Sequence, residues 1–131
     1  MSGGFKDNFS TQSKEYSFSR PTYPESLFEF LSTVTPQKNL AWDCATGNGQ
    51  AAIGLSKYFK KVIASDASKN QILHGFQREN IDYKLFPAEN VELDNDTVDI
   101  VTVAQALHWF DFDKFYYNVK RVGKKDGIIA V

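Results

Sequence analysis

The 131-residue sequence lacks the features that mark secreted, membrane-spanning or nucleic-acid-binding proteins. Its single cysteine, Cys44, cannot form a disulfide within the chain, so a reducing, cytoplasmic environment is expected. No apolar run approaches the length of a membrane span, and residues 1–7 contain no apolar stretch of the kind found in signal peptides. Fifteen basic residues against sixteen acidic ones leave no excess positive charge for a nucleic acid. We therefore expect a soluble protein that binds neither membranes nor nucleic acids.

What the sequence does contain is a regular alternation of short apolar runs and helical patterns. Apolar runs of strand length occur at 40–42, 61–66, 81–85, 98–104 and 128–131. Such alternation is typical of an α/β fold in which parallel strands are joined by right-handed crossovers. The chain length and the 42% of hydrophobic residues fit one domain with one core.

The helical patterns predict which side chains face that core. One helix begins near Pro24 and ends before Pro36, and the last helix is capped by Asp111 and ends at Gly123. Residues 124–127 are predicted to turn the chain into the fifth strand. The side chains predicted to face inward from the helices are Leu27, Phe28, Leu31, Val34, Ala52, Leu55, Phe59, Ile72, Leu73, Phe76, Phe112, Phe115, Tyr116, Val119 and Val122.

A glycine-containing turn follows the first predicted strand. Gly47 and Gly49 lie between the apolar residues 40–42 and a new helical pattern. Glycine accepts positive φ angles and lets a ligand approach the backbone closely, and the helix that follows presents free N–H groups. The turn is therefore a candidate nucleotide-binding site, although glycines at such a turn can also serve its geometry alone. Cys44 beside it is expected to be a buried small side chain rather than a reactive thiol.

Asp66 ends the second predicted strand, 17 residues beyond Gly49. This is close to the spacing at which a second parallel strand places a carboxylate beside a ribose diol. The two carboxylate oxygens can accept hydrogen bonds from both hydroxyls of the diol. The alternative is a helix N-cap, a role that Ser68 and Asn70 could also fill. The upstream glycines favour the ribose role.

Four segments are expected to meet at the carboxyl ends of the strands: residues 43–49, Asp66, residues 88–90 and residues 105–110. In order and spacing, over nearly all of residues 16–131, they resemble the class I S-adenosylmethionine-dependent methyltransferases, particularly the small-molecule branch that includes trans-aconitate and ubiquinone-pathway enzymes. Residues 20–24 resemble an N-terminal signature of that branch. The resemblance implies a Rossmann-like, doubly wound parallel sheet in the order 3-2-1-4-5, without the usual strands six and seven. Residues 16–131 would be its cofactor-binding part and residues 1–15 a flexible tail.

The resemblance also implies S-adenosyl-L-methionine as the cofactor and assigns residues to it. Residues 43–49 match the first motif, with Ala45 where the family usually has its first glycine. Asp66 matches the ribose-binding acid, residues 88–89 the segment beside the adenine, and residues 16–20 a cover over the cofactor. The cofactor-binding residues so predicted are Tyr16, Arg20, Asp43, Ala45, Gly47, Gly49, Asp66, Ala67, Ala88, Glu89 and Gln105.

Methyl transfer by in-line displacement relies mainly on alignment of the reactants, so no catalytic triad and no metal site are expected. His108 is the candidate catalytic base, or equally a packed loop residue. Arg20, His108 and Trp109 are the candidate contacts to a small-molecule acceptor, and the first two favour an anionic one. The donor is a sulfonium cation, and the absence of Lys and Arg between Leu40 and Ser56 suits it better than it suits a phosphate-binding loop.

Two further functions fit parts of the sequence. Residues 47–52 match G-x-G-x-x-A with Asp66 downstream, as in NAD(P)-dependent oxidoreductases, although Asp43 and the match at residues 88–89 favour the methyltransferase. A non-catalytic binding module that kept only the cofactor half is the other possibility. Because residues 128–131 would form an apolar sheet edge, we expect either a fragment of a longer enzyme or self-association through that edge.

Overall fold

The computed structural model describes residues 23–104 and 111–131, in which parallel strands alternate with helices. The elements in chain order are α1 (Glu25–Val34), β1 (Leu40–Cys44), α2 (Gln50–Ser56), β2 (Lys61–Asp66), α3 (Lys69–Leu73), β3 (Ile81–Leu85), β4 (Val98–Val103), α4 (Phe112–Val122) and β5 (Gly123–Ala130). The five strands form one sheet in the order β3-β2-β1-β4-β5, and every neighbouring pair is parallel. The predicted fold class and strand order are confirmed.

β1 occupies the centre of the sheet, between β2 and β4. Its last residue, Cys44, pairs with Ser65 on one side and Val103 on the other. Because parallel strands end at the same edge, the segments that follow β1, β2, β3 and β4 come together there. We call this edge the carboxyl rim and define it as residues 43–49, 66–67, 86–89 and 104, which include the last two residues of β1. It includes the point where the chain order reverses across β1, which is where open α/β sheets bind their ligands.

Apolar side chains cover both faces of the sheet. On one face, Phe28 and Leu31 of α1 pack with Leu55 of α2, in a cluster that also contains the buried Phe59. On the other, Phe115 of α4 packs with the fully buried Trp42. As predicted, Cys44 is buried and β4 is buried along its whole length. None of the helices in the described ranges combines the length and apolarity that a membrane span needs.

Several predicted inward-facing residues are exposed instead. The prediction was wrong for Leu73 and Phe76, because α3 has only five residues, buries none of them and ends at Leu73. The Tyr83 hydroxyl donates to the Phe76 carbonyl, which holds the chain after α3 against β3. On α1 and α4 the apolar stripe is wider than the buried face. Leu27, Val34, Phe112 and Tyr116 lie at its margins and are exposed.

β5 also differs from its prediction. Residues 124–127 lie inside the strand rather than in a turn before it, because β5 begins directly after α4. The pairing shifts between Val98, opposite Gly123, and Ile100, opposite Ile128, so the extra residues form a bulge. On this edge strand Ile129 is exposed, as is Val131 beyond it. Self-association through the edge stays a prediction.

Asp99 forms a buried polar contact at the opposite end of the sheet from the carboxyl rim. Its Oδ2 accepts hydrogen bonds from the backbone N–H groups of Asn39 and Leu40, both at 2.9 Å. Its Oδ1 lies 2.8 Å from the ammonium of Lys124, in the β5 bulge. One carboxylate thus joins the start of β1, β4 and β5. A single acid inside the continuous apolar run of β4 was the sequence signal for it.

Replacing Lys124 by methionine should therefore destabilise the protein. The Asp99 carboxylate is only 3% exposed and would lose its cation while keeping two backbone donors, a cost of about 2 kcal/mol. Urea unfolding measures the loss, and Lys125→Met, which changes a neighbouring exposed lysine in the same bulge, is the matched control. Equal stabilities for the two variants would mean that the ion pair contributes nothing.

Candidate functional site

The turn after β1 has three residues with left-handed backbone conformations. The φ angles are +56° at Ala45, +61° at Gly47 and +90° at Gly49. At Gly49 an added Cβ would lie 2.1 Å from the Tyr83 hydroxyl oxygen, so packing requires glycine there. At Gly47 an added Cβ would meet no atom of the described residues within 4 Å. The turn is therefore open above Gly47, and a ligand can reach the backbone at that point.

Asp66 fixes this turn to the end of β2. Its Oδ2 accepts a 2.9 Å hydrogen bond from the Gly47 N–H, and its Oδ1 accepts one of 2.9 Å from the Ser68 N–H. Ser68, rather than Asp66, caps α3, because its hydroxyl accepts from the Gln71 N–H. Each carboxylate oxygen has a second lone pair. Both oxygens of Asp66 can therefore still accept a hydrogen bond from a ligand hydroxyl.

Asp43 is buried beneath the turn, with 1% of its surface exposed. The Thr46 hydroxyl donates to its Oδ2 at 2.6 Å, and the Thr102 hydroxyl of β4 donates to its Oδ1 at 2.7 Å. Burial raises the pKa of Asp43 to about 6, and the nearby charge of Asp66 adds to that rise, while the two hydroxyls oppose it. The carboxylate predicted to bind the cofactor thus joins β1 to β4 from inside the protein. Its two threonine partners were missed in the sequence.

The segment after β3 brings Ala88 and Glu89 to the rim. Ala88 is buried in the same cluster as Trp42 and Cys44. The Glu89 Oε2 accepts a 3.0 Å hydrogen bond from the Asp111 N–H, and the Glu89 carbonyl accepts one of 3.1 Å from the Asn118 side chain. Asp111 caps α4, as predicted, since its Oδ1 accepts from the Lys114 N–H.

Three carboxylates surround the end of β1. Burial raises the pKa of the Cys44 thiol most, and the charges of Asp43, Glu89 and Asp66 raise it further, which keeps the thiol protonated and unreactive. Burial, and then the charge of Asp43, also raise the pKa of the Tyr23 and Tyr83 phenols.

The acids of the rim have no basic partner among the described residues. In ranges 23–104 and 111–131 the ion pairs of lysine involve Glu25, Asp82 and Asp99, all outside the rim. Asp43, Asp66 and Glu89 receive only hydrogen bonds from N–H and O–H groups that carry no charge. The acids of the rim therefore create a negative potential that no basic residue in the described ranges compensates, which suits a ligand with a positive charge.

A cavity of about 280 Å³ adjoins this rim. It is lined by Ala51, Thr102, Ala104 and residues of α1, and so includes the β4 partner of Asp43. A larger cavity of about 460 Å³ lies between α1, α2 and Phe76, away from Asp66 and Glu89. The smaller cavity reaches the rim through Ala104 and the Asp43 partner Thr102, although neither cavity is lined by Asp66 or Glu89.

The remaining predicted site residues divide into two groups. Ala45 is half-buried in the turn, and Ala67 is exposed beside Asp66. The others lie outside the described residues, and their roles stay predictions: Tyr16, Arg20, Gln105, His108 and Trp109.

Comparison with known proteins gives consistent matches. The family model described as "Methyltransferase domain" matches residues 42–131. A Dictyostelium discoideum protein named "Putative methyltransferase" is 40% identical over 128 residues, covering 97% of this chain and 49% of that protein. This chain spans about half the length of the curated relatives it matches.

Solved structures share the fold. A protein from Anaeromyxobacter dehalogenans titled "Putative Type II Methyltransferase" has a TM-score of 0.82 and 38% identity, covering 85% of this chain and 48% of its own. Geranyl diphosphate C-methyltransferase from Streptomyces coelicolor, in complex with S-adenosyl-L-homocysteine, has a TM-score of 0.69, with coverage of 80% and 43%. At 15% identity the second match speaks only for the fold.

Asp43 should make the stability of the protein depend on pH. Because its folded-state pKa is raised from 3.8 to about 6, folding is favoured by its protonated form. That stability is fully present below pH 3.8 and is lost as the pH rises through about 6, a change of about 3 kcal/mol. Asp43→Asn keeps a donor and an acceptor for the two threonines but cannot titrate.

The free energy of unfolding in urea, measured between pH 4.5 and 7.5, tests this. Across that range the wild type should lose stability relative to Asp43→Asn, whereas the exposed Glu92→Gln should follow the wild type. Parallel curves for the wild type and Asp43→Asn would contradict the proposed titration.

Proposed function

The chain belongs to the class I S-adenosylmethionine-dependent methyltransferases, and from that premise we propose that it binds S-adenosylmethionine at the carboxyl rim and methylates a small molecule. The observation that carries the proposal is the open turn at Gly47, tied to Asp66 and bordered by acids that have no basic partner within residues 23–104 and 111–131. Because a Cβ added at Gly47 would contact none of the described protein atoms, the turn leaves room there for an adenosyl group. The bound cofactor supplies a methyl group activated by a positively charged sulfur.

The residues of the rim would then have distinct tasks. Asp66 would accept hydrogen bonds from the ribose hydroxyls with the lone pairs that Gly47 and Ser68 leave free. Asp43 would hold the turn and β4 in register from below, because its oxygens bond Thr46 and Thr102. Glu89 would form a further wall of the cofactor site. The negative potential of these acids favours the cationic cofactor over its neutral product.

Catalysis at such a site rests on alignment. An acceptor held in line with the methyl group and sulfur gains roughly 7–11 kcal/mol from orientation alone. Asp66 and Glu89 would hold the cofactor, which would supply its methyl group to the acceptor's electron pair while the electrons of the carbon–sulfur bond leave with sulfur. The 280 Å³ cavity beside Thr102 and Ala104 is the space that would admit the acceptor.

Binding of S-adenosylhomocysteine, measured by calorimetry, tests the cofactor half of the proposal. The wild type should bind it and should not bind NAD. Gly47→Ala should lose roughly 1 kcal/mol of stability, because the φ of +61° at this position disfavours a side chain. It should bind at least about tenfold more weakly, because a methyl group that meets none of the described protein atoms occupies ligand space. Asp66→Asn should also weaken binding.

Asp82→Asn is the matched control for Asp66→Asn, because it makes the same chemical change on exposed β3, away from the rim. It should bind as the wild type does. Preference for NAD over S-adenosylhomocysteine, or undiminished binding by Gly47→Ala, would contradict the proposed site.

A panel of acceptors tests the second half. On the residue types at Arg20 and His108 we expect small carboxylates to be methylated faster than neutral amines or phenols. His108→Gln should lower the rate, while His74→Gln, at the exposed end of α3, should not. Preference for neutral acceptors would overturn the anionic assignment. Cofactor binding without transfer to any acceptor would favour a non-catalytic binding module.

A further inference from the structure

Asn118 is a polar side chain on the buried stripe of α4. It lies between Phe115 and Val122 at helical spacing and is only 8% exposed. Its Nδ2 donates to the carbonyl of Glu89 at 3.1 Å and to that of Lys114 at 2.9 Å. An apolar residue is the ordinary occupant of such a position, because a buried amide is costly unless it is hydrogen-bonded. The hydrogen bond to Glu89 explains why a buried amide is tolerated at this position.

Arg121 continues the same contact with the segment after β3. Its Nη1 donates to the Leu93 carbonyl at 2.8 Å and to Asn95 Oδ1 at 2.7 Å. Its Nη2 donates to the Val91 carbonyl at 2.7 Å. Residues 86–97 contain no helix or strand, so these carbonyls lack the partners that a ladder would give them. Two side chains of one helix supply the missing donors.

We infer that Asn118 and Arg121 are positioning residues that set the affinity for the cofactor through Glu89. The carboxylate of Glu89 is bonded by the Asp111 N–H at the start of α4, and its carbonyl by Asn118 further along that helix. Both the carboxylate and the backbone carbonyl of Glu89 are thus fixed to α4. The inference rests on the proposed function, which makes Glu89 a wall of the cofactor site.

The two residues act at a distance from the ligand. Asn118 is seven residues beyond Asp111, or about 10 Å along the helix axis. Its side chain is almost fully buried and is bonded through both its nitrogen and its oxygen, so little of it is left to touch a ligand on the rim. Any effect of Asn118 on binding must pass through the segment that carries Glu89.

A double-mutant cycle separates positioning from general stability. The wild type, Asn118→Ala, Glu89→Ala and the double variant are compared by calorimetry with S-adenosylhomocysteine. Asn118→Ala should bind about fivefold more weakly, the loss of one net hydrogen bond. In the double variant the Asn118 change should have little further effect on binding, because the Glu89 carboxylate that Asn118 positions has already been removed. Urea unfolding without ligand records the structural cost separately.

Controls keep the outcomes distinct. Tyr117→Ala changes an exposed side chain next to Asn118 and should bind as the wild type does. If the wild type itself does not bind S-adenosylhomocysteine, the proposed function fails. If the wild type binds but the losses of binding free energy from the Asn118 and Glu89 changes are additive, Asn118 is only structural and the inference is overturned. Unchanged binding by Asn118→Ala overturns it too.

Arg121→Lys serves if Asn118→Ala does not fold. It keeps the positive charge but loses the planar fork that bonds three acceptors at once. Its effect on binding should likewise disappear in the Glu89→Ala background. Additive effects in this second cycle would overturn the inference.

Discussion

The hydrogen bond from the Gly47 amide to Asp66 is the contact on which the candidate site depends. It joins a turn at the end of β1 to the end of β2, and it exists because the two strands are parallel neighbours in register. Asp43 makes the matching connection on the other side, from the turn to Thr102 of β4. Three strands are thereby locked together where they end, with the backbone of the turn left open between them.

The electrostatics of the rim follow from what surrounds these bonds. Neutral N–H and O–H donors satisfy Asp43, Asp66 and Glu89, so the described part of the chain organises the acids without cancelling their charge. Burial makes the charge on Asp43 costly, which is why its pKa is raised. A cationic ligand on the rim would reduce that cost. The negative charge of these acids favours a sulfonium cofactor and disfavours a phosphate.

The sequence was sufficient for the order of the elements, for the buried β4 and for the meeting of Asp66 with the turn at Gly47. The roles of the predicted site residues stay predictions, and five of those residues lie outside the described ranges. Helix faces were less predictable, because Leu73 and Phe76 depend on where α3 ends, and a contact from Tyr83 holds the chain beyond it.

The polar side chains that support the site were missed in the sequence. Thr102, Asn118 and Arg121 bond residues that are 26 to 59 positions away, and no local pattern contains that information. The available signal was weak: an asparagine on an apolar stripe, and an acid or a hydroxyl within an apolar strand. Each departs from the pattern of its element, and each turned out to form a tertiary hydrogen bond.

The bond between Asp43 and Thr102 has a consequence for synthesis of the chain on the ribosome. Its partners are separated by 59 residues, so β1 to β3 emerge well before the strand that must insert beside β1. Until that strand docks, the carboxylate of Asp43 remains hydrated and the nascent chain has no completed pocket. Non-local parallel pairing of this kind slows folding and leaves apolar edges uncovered meanwhile. A ligand that occupies only the finished rim therefore acts as a late stabiliser of the whole sheet, by mass action.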